Sequence, residues 1–176
     1  ALMRGTSQQT FEQFAKVDEA GVTIMVQDAP LSGVDLPVPL LIKMAKEIET
    51  VKCFKIECAQ AASKLRKLVV EGGDVIEGPF DGEEGITLFA DLEAGATGNM
   101  SSAMIPDLIK PVVLDYLAGE FDKSEDKYNN ILPVINYENR QCGFRATKVI
   151  MKEGGVINSD FCRHPIPPCL LYTSPS

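Results

Sequence analysis

An α/β fold, the C-terminal half of a TIM (β/α)8 barrel followed by extra C-terminal helices, is what the 176-residue sequence predicts. Short β-branched apolar runs alternate with stretches of helical periodicity about ten to fifteen residues long, the mark of βαβ units around a parallel sheet. The first run is nearly continuously apolar, as in strands covered on both faces of such a sheet. Four strand-helix units occur, half of a barrel that typically takes about 250 residues.

Residues 10–19 place Phe11, Phe14, Ala15 and Val17 at helical spacing, and Gly21 ends the pattern. Val22-Thr23-Ile24-Met25-Val26 is the first strand run, and the segment from Pro30 to Pro39 supplies turn chemistry before a helix over 40–48. The second unit is a strand over 51–57 and a helix over 59–71, the third a strand over 74–78 and a helix over 83–94. The fourth is a strand near 97–101 and a helix over 106–118, and helical stretches at 122–136 and 139–153 follow. The expected organisation is barrel units in residues 1–120, a helical extension in 121–168, and a separate tail. Cys169-Leu170-Leu171-Tyr172-Thr173-Ser174-Pro175-Ser176 resembles a translated library adapter and is set aside. Ala1-Leu2-Met3-Arg4 carries neither an initiator methionine nor a signal pattern, so the missing barrel units are expected upstream. A half barrel by itself exposes strand edges, and aggregation or assembly with a partner half is its expected fate.

Composition narrows the function classes. With 45% hydrophobic and 24% charged residues, the chain can bury one sizeable core. A net charge of −8 argues against nucleic-acid binding, which needs clustered Lys and Arg. The basic run from Lys64 to Lys67 has helical spacing and reads as a solvated face. No run of about 18 apolar residues suggests a membrane span. Five cysteines without CxxC spacing suit reduced thiols in a cytoplasmic protein. With His164 as the one histidine and no ligand cluster, no metal is expected. Gly82-Glu83-Glu84-Gly85 and Gly72-Gly73 make no phosphate loop, so no nucleotide cofactor is expected either.

Chemistry is sought at the C-terminal ends of the strands, where barrel active sites gather. Lys55 stands in Cys53-Phe54-Lys55-Ile56-Glu57, an apolar strand where an unpaired ammonium is costly and desolvation favours the neutral amine. Such an amine attacks carbonyls, and the protonated imine then serves as an electron sink. A strand-end lysine paired with Glu57 is the alternative. Glu57 shares a face with Lys55 by the period of two, and as a tuner, a base or an ion-pair partner it fits equally.

Phe54-Lys55-Ile56-Glu57 resembles the strand that bears the Schiff-base lysine in the dihydrodipicolinate synthase and N-acetylneuraminate lyase family. Gln27-Asp28-Ala29-Pro30 falls where that family has Tyr-Asn-x-Pro, and Gly95-Ala96-Thr97-Gly98-Asn99-Met100-Ser101 where it has Gly-Ala-x-Gly-x-x-Ser. The resemblance runs from about residue 8 to Pro168 and implies a full barrel, Lys55 as nucleophile, a 2-keto acid as substrate and a homotetramer. Gln27 replaces the proton-relaying tyrosine, and an amide neither gives nor takes protons near neutral pH. Pro30-Leu31-Ser32-Gly33 lacks the arginine that holds a substrate carboxylate in dihydrodipicolinate synthases.

Gly78-Pro79-Phe80-Asp81-Gly82-Glu83-Glu84, Asn136-Tyr137-Glu138-Asn139-Arg140-Gln141-Cys142-Gly143, Lys152-Glu153-Gly154-Gly155-Val156-Ile157 and Arg163-His164-Pro165 are similar to dehydratases of 2-keto-3-deoxy sugar acids. That implies an imine at C2, loss of a C3 proton and departure of the C4 hydroxyl. Retro-aldol cleavage shares the first intermediate, a synthase-like reaction shares the lysine, and a silent 2-keto-acid-binding barrel is kept open by Gln27. Expected substrate contacts are Gln27, Glu57, Asp81 and, in the last loop, Asn99, Ser101 and Ser102. Asp81, Glu83 and Glu84 are expected just after the third strand, where acidic residues also start helices.

Overall fold

A computed structural model describes residues 5–29 and 35–167. It divides into two compact units, one ending at Met100 and one beginning at Ser101. The adapter-like tail, the first four residues and the Pro30-Leu31-Ser32-Gly33 segment lie outside the described residues.

In the first unit, helix α1 spans Ser7–Asp18 and begins earlier than the apolar periodicity indicates, because Thr6 caps it. The Thr6 Oγ1 accepts from the Gln9 N–H at 3.2 Å, and the Thr6 N–H donates to Gln9 Oε1 at 2.9 Å. Strand β1 is Ile24–Asp28 and helix α2 Val38–Glu47, whose start carries Pro39 in its first turn, where a missing N–H costs nothing. Strand β2 is Val51–Ile56 and helix α3 Ala61–Gly72.

The third unit departs from expectation. Gly73–Val75 forms a 3-10 turn, with Gly73 at φ +57°, and the strand β3 runs Glu77–Asp81. The glycine pair delays the strand by three residues, so Asp81 ends the strand instead of following it. A turn over 82–87 holds Glu84 at φ +56° and Gly85 at φ +84°, which leaves helix α4 only Leu88–Glu93. Strand β4 is the dipeptide Gly98–Asn99.

The four strands form one parallel sheet in the order β1-β2-β3-β4. Two register rows cross its C-terminal edge: Gln27, Lys55, Phe80 and Gly98 in one, Asp28, Ile56, Asp81 and Asn99 in the next. Period-two alternation sends these rows to opposite faces. On one face, Val26, Phe54 and Ile56 are sealed against Leu41, Met44, Leu65 and Leu68 of α2 and α3. The other face is open in β1, whose burial alternates residue by residue with Met25 38% exposed.

Lys64 is also not the solvated residue its spacing indicates. Its side chain is 13% exposed and its ammonium lies 2.5 Å from Asp28 and 2.6 Å from Asp35. Arg66 and Lys67 of the same run are exposed.

The second unit comprises helices α5 (Pro106–Leu117), α6 (Phe121–Tyr137) and α7 (Phe144–Glu153). The Ser124 hydroxyl donates to the Val112 carbonyl at 2.8 Å, joining α6 to α5. A π turn at Glu138–Cys142 and Gly143 at φ +56° break what the sequence presents as one helix over 139–153. Glu138 is buried and accepts from the Thr147 hydroxyl at 2.9 Å, which ties the π turn to α7.

Candidate active site

The open face of the sheet gathers a cation, a carboxylate and an amide. Lys55 projects from the penultimate position of β2, and Glu57, one residue beyond the strand, follows on the same side. The chain is held there because the Glu57 N–H donates to the Asp28 carbonyl at 2.9 Å. The Lys55 ammonium lies 3.0 Å from Glu57 Oε2, and the Gln27 side-chain amide donates to the same oxygen at 2.8 Å. Side-chain exposures of 16% for Lys55 and 20% for Glu57 keep the pair partly screened from water yet within reach of a small molecule. Lys55 is thus not the unpaired ammonium its apolar neighbours indicate. Its partner is a carboxylate that can take the proton an attacking amine must lose.

Two glycines make room for this arrangement. A β-carbon at Gly82 would fall 2.9 Å from Lys55 Cγ and Cε and from Glu57 Cβ, so its backbone lies directly on both stems. At Gly98 a β-carbon would meet the Phe80 ring at 2.9 Å, and the ring lies beside Lys55 in the same row.

Asp81 and Asn99 are not brought to Lys55. Both belong to the other row, and Asp81 is fully buried toward the helices. The Asn99 amide donates to Asp81 Oδ2, and the Glu83 N–H donates to Asp81 Oδ1 at 3.2 Å. The Thr87 hydroxyl lies 2.8 Å from Asp91 Oδ2 and 3.5 Å from Asp81 Oδ1. Burial, then the hydrogen bond and repulsion from Asp81, push the Asp91 carboxyl up to about 7. Burial also raises Asp81, opposed by the hydrogen bonds it accepts. Ser101 and Ser102 open the second unit, where both are half-buried and the Ser101 hydroxyl lies 3.4 Å from the Ser102 carbonyl.

Thr87, Asp91 and the Asp28–Lys64–Asp35 triad are polar groups the sequence reading missed. A signal existed for two of them. Asp28 continues the buried parity of Ile24 and Val26, and Asp91 interrupts the apolar run Leu88-Phe89-Ala90-Asp91-Leu92. Among the described residues no group of three or more His, Cys, Asp or Glu side chains is placed to hold a metal.

Residues 3–172 match the model of the dihydrodipicolinate synthetase family. The chain belongs to that family. An L-2-keto-3-deoxyarabonate dehydratase of Azospirillum brasilense is 52% identical over 168 residues, covering 95% of this chain and 54% of the relative. Dihydrodipicolinate synthase from Rhodopseudomonas palustris superposes with a TM-score of 0.87 at 25% identity over 96% of this chain and 58% of its own. The synthase from Aquifex aeolicus gives 0.86 at 18% identity, over 97% and 58%. The chain thus spans a little over half the length of these relatives. Its fold is the corresponding part of the family's barrel, with the Lys55 row on the face away from α2 and α3.

Proposed function

We propose that this family member is a Schiff-base-forming hydro-lyase of 2-keto-3-deoxy sugar acids, with L-2-keto-3-deoxyarabonate as substrate and 2-oxoglutarate semialdehyde as product. The observation that carries the proposal is the Lys55–Glu57 contact at 3.0 Å on the open face of the sheet, with Gln27 holding the carboxylate at 2.8 Å. The 52% identity to the Azospirillum dehydratase supports the choice of substrate.

Lys55, once its proton has passed to Glu57, attacks the C2 ketone, and Glu57 returns that proton to the carbinolamine hydroxyl, so that water departs, a protonated imine remains and Glu57 is a carboxylate again. Glu57, adjacent to the amine, then removes a proton from C3. The electron pair moves into the C2–C3 bond as an enamine, and its return expels the C4 hydroxyl, protonated as it leaves, as water. A proton lost from C5 and one gained at C3 turn the unsaturated imine into the enol of the aldehyde. Hydrolysis restores Lys55. Gln27 takes no proton in this sequence. It orients Glu57, which assumes the acid-base role the family's tyrosine would have. No metal or organic cofactor is required, a homotetramer is the proposed assembly, and the cytoplasm the proposed location. No helix among the described residues is long and apolar enough to cross a membrane.

Borohydride reduction of the full-length protein with a panel of 2-keto acids, followed by mass spectrometry of the Lys55 peptide, tests the proposal. A reduced adduct on Lys55 with the 2-keto-3-deoxy pentonate, together with released semialdehyde, is expected. Adduct formation with pyruvate and aldehyde as products would point to retro-aldol cleavage, and no adduct with any 2-keto acid would leave a silent binding barrel.

A further inference from the structure

We infer that Asp81 and Asp91 are positioning residues for Lys55: a single proton shared by these two buried carboxyls holds the 82–87 turn, and the turn seats Gly82 on the lysine stem. This rests on the imine-lyase reading only in what Lys55 does, because the pair itself lies on the helix side of the sheet.

The hydrogen-bond donors around the pair are one too few. Both carboxyls are fully buried. Asp81 accepts from the Asn99 amide and the Glu83 N–H, so each of its oxygens has a donor without any added proton. The Thr87 hydroxyl has one hydrogen, and its oxygen sits 2.8 Å from Asp91 against 3.5 Å from Asp81, so it serves Asp91 Oδ2. Asp91 Oδ1 is then buried with no donor at all. Two adjacent buried anions would be strongly unfavourable, and one proton on Asp91 removes both the repulsion and the orphaned oxygen. Other groups around the pair do not supply a countercharge. Glu83 of the same turn adds negative charge. From the β2–α3 side, the Cys58 thiol is pushed up to about 11 by burial and is neutral, and Lys64 is engaged by Asp28 and Asp35.

The mechanical link to Lys55 is short. Asp81 is joined to Gly82, whose N–H donates to the Ile56 carbonyl at 3.0 Å and whose backbone lies on the Lys55 and Glu57 stems. The Asp81 carbonyl accepts from the Met100 N–H at 2.9 Å, so the same residue also fixes the end of β4. When the proton leaves, repulsion between the carboxyls loosens the turn that Asp81 and Thr87 hold, and the lysine loses its wall.

The test compares full-length protein with its Asp91→Asn variant, in which a neutral amide replaces the protonated acid. Rates of borohydride trapping with pyruvate are taken from about pH 6 to 8, with hydrogen exchange of the amides of residues 82–87 over the same interval. The variant-to-parent ratio of trapping rates is expected near one at pH 6, rising about fivefold by pH 8, with exchange in the parent turn accelerating beyond its intrinsic pH dependence. A destabilised helix alone would not give a ratio that rises with pH. Should Asp91→Asn not fold, Asp81→Asn also leaves one carboxyl in the site and is expected to give the same rise. A flat ratio with unchanged exchange overturns the inference. A parent that traps no keto acid sinks the imine-lyase reading instead, and Lys55 acylation by acetic anhydride then supplies the ratio, rising if the inference holds and flat if it fails.

Discussion

Asp28 and Asp81 end two strands in the same register row, and both are completely buried, yet the fold neutralises them differently. Asp28 has a lysine from α3 at 2.5 Å, while Asp81 faces another carboxyl and depends on a proton. One aspartate is held by an opposite charge, the other by the shared proton inferred above. Directly behind them, through one strand thickness, the row of Gln27 and Lys55 remains accessible. The same strand ends therefore carry a buried polar layer on one side and, on the other, the partly exposed Lys55–Glu57 pair of the proposed chemistry. Substitutions on the two sides should separate cleanly into losses of stability and losses of chemistry.

The largest separation is expected at Lys55. Lys55→Ala should lower kcat/KM by about 10⁴-fold or more and abolish the borohydride adduct. The same variant should change unfolding free energy by less than about 1 kcal/mol, measured by urea titration. A stable variant that still turns over would erase the division. On the buried side, Lys64→Met leaves Asp28 buried without its partner and should cost about 3–5 kcal/mol in the same titration. Adding Asp28→Leu should restore much of that loss. The Asp81–Asp91 pair gives a smaller, pH-dependent effect. The Asp91 carboxyl sits near 3.8 when unfolded and at about 7 when folded, so the native state holds the extra proton across that interval. Stability it contributes is fully present below about pH 4 and is lost as pH rises through about 7, with a slope of at most about 1.4 kcal/mol per unit. Asp91→Asn should flatten that slope in urea titrations at stepped pH. The smallest effect is expected at Gln27, where Gln27→Leu removes one hydrogen bond to Glu57, worth about 1 kcal/mol or about fivefold in kcat. A loss as large as that at Lys55 would make Gln27 a participant in the chemistry instead of a holder.

Most strands and helices of the first unit were legible because period-two and 3.6-residue patterns survive in β1, β2, α2 and α3. Lys55 drew notice for a related reason, since a lysine in an apolar strand violates its own pattern, but the pattern alone favoured a strand-end lysine paired with Glu57, and only the family resemblance made it the nucleophile. The 82–87 turn was not legible. Gly72-Gly73 moved β3 by three residues, so Asp81, expected in the segment after the strand where the resemblance implies substrate contacts, ends the strand instead and stands on the helix side. Lys64 misled for a different reason: helical spacing places a residue on a face, but only tertiary structure decides whether a buried aspartate waits opposite it. The π turn at Glu138–Cys142 has no periodic signature, and only Gly143 hinted at the break.

The alternation of sealed and open residues along β1 has a bearing on how this protein can change over time. Ile24, Val26 and Asp28 belong to the core, while Met25 and Gln27 do not. Positions 25 and 27, on the accessible side, can drift toward a new substrate while their neighbours one residue away stay fixed by packing. Along β1, residue parity thus works as a partition of selective pressures, with even positions answering to packing and odd positions to whatever occupies the open face. A mutational library confined to those odd positions would sample specificity with few casualties to folding.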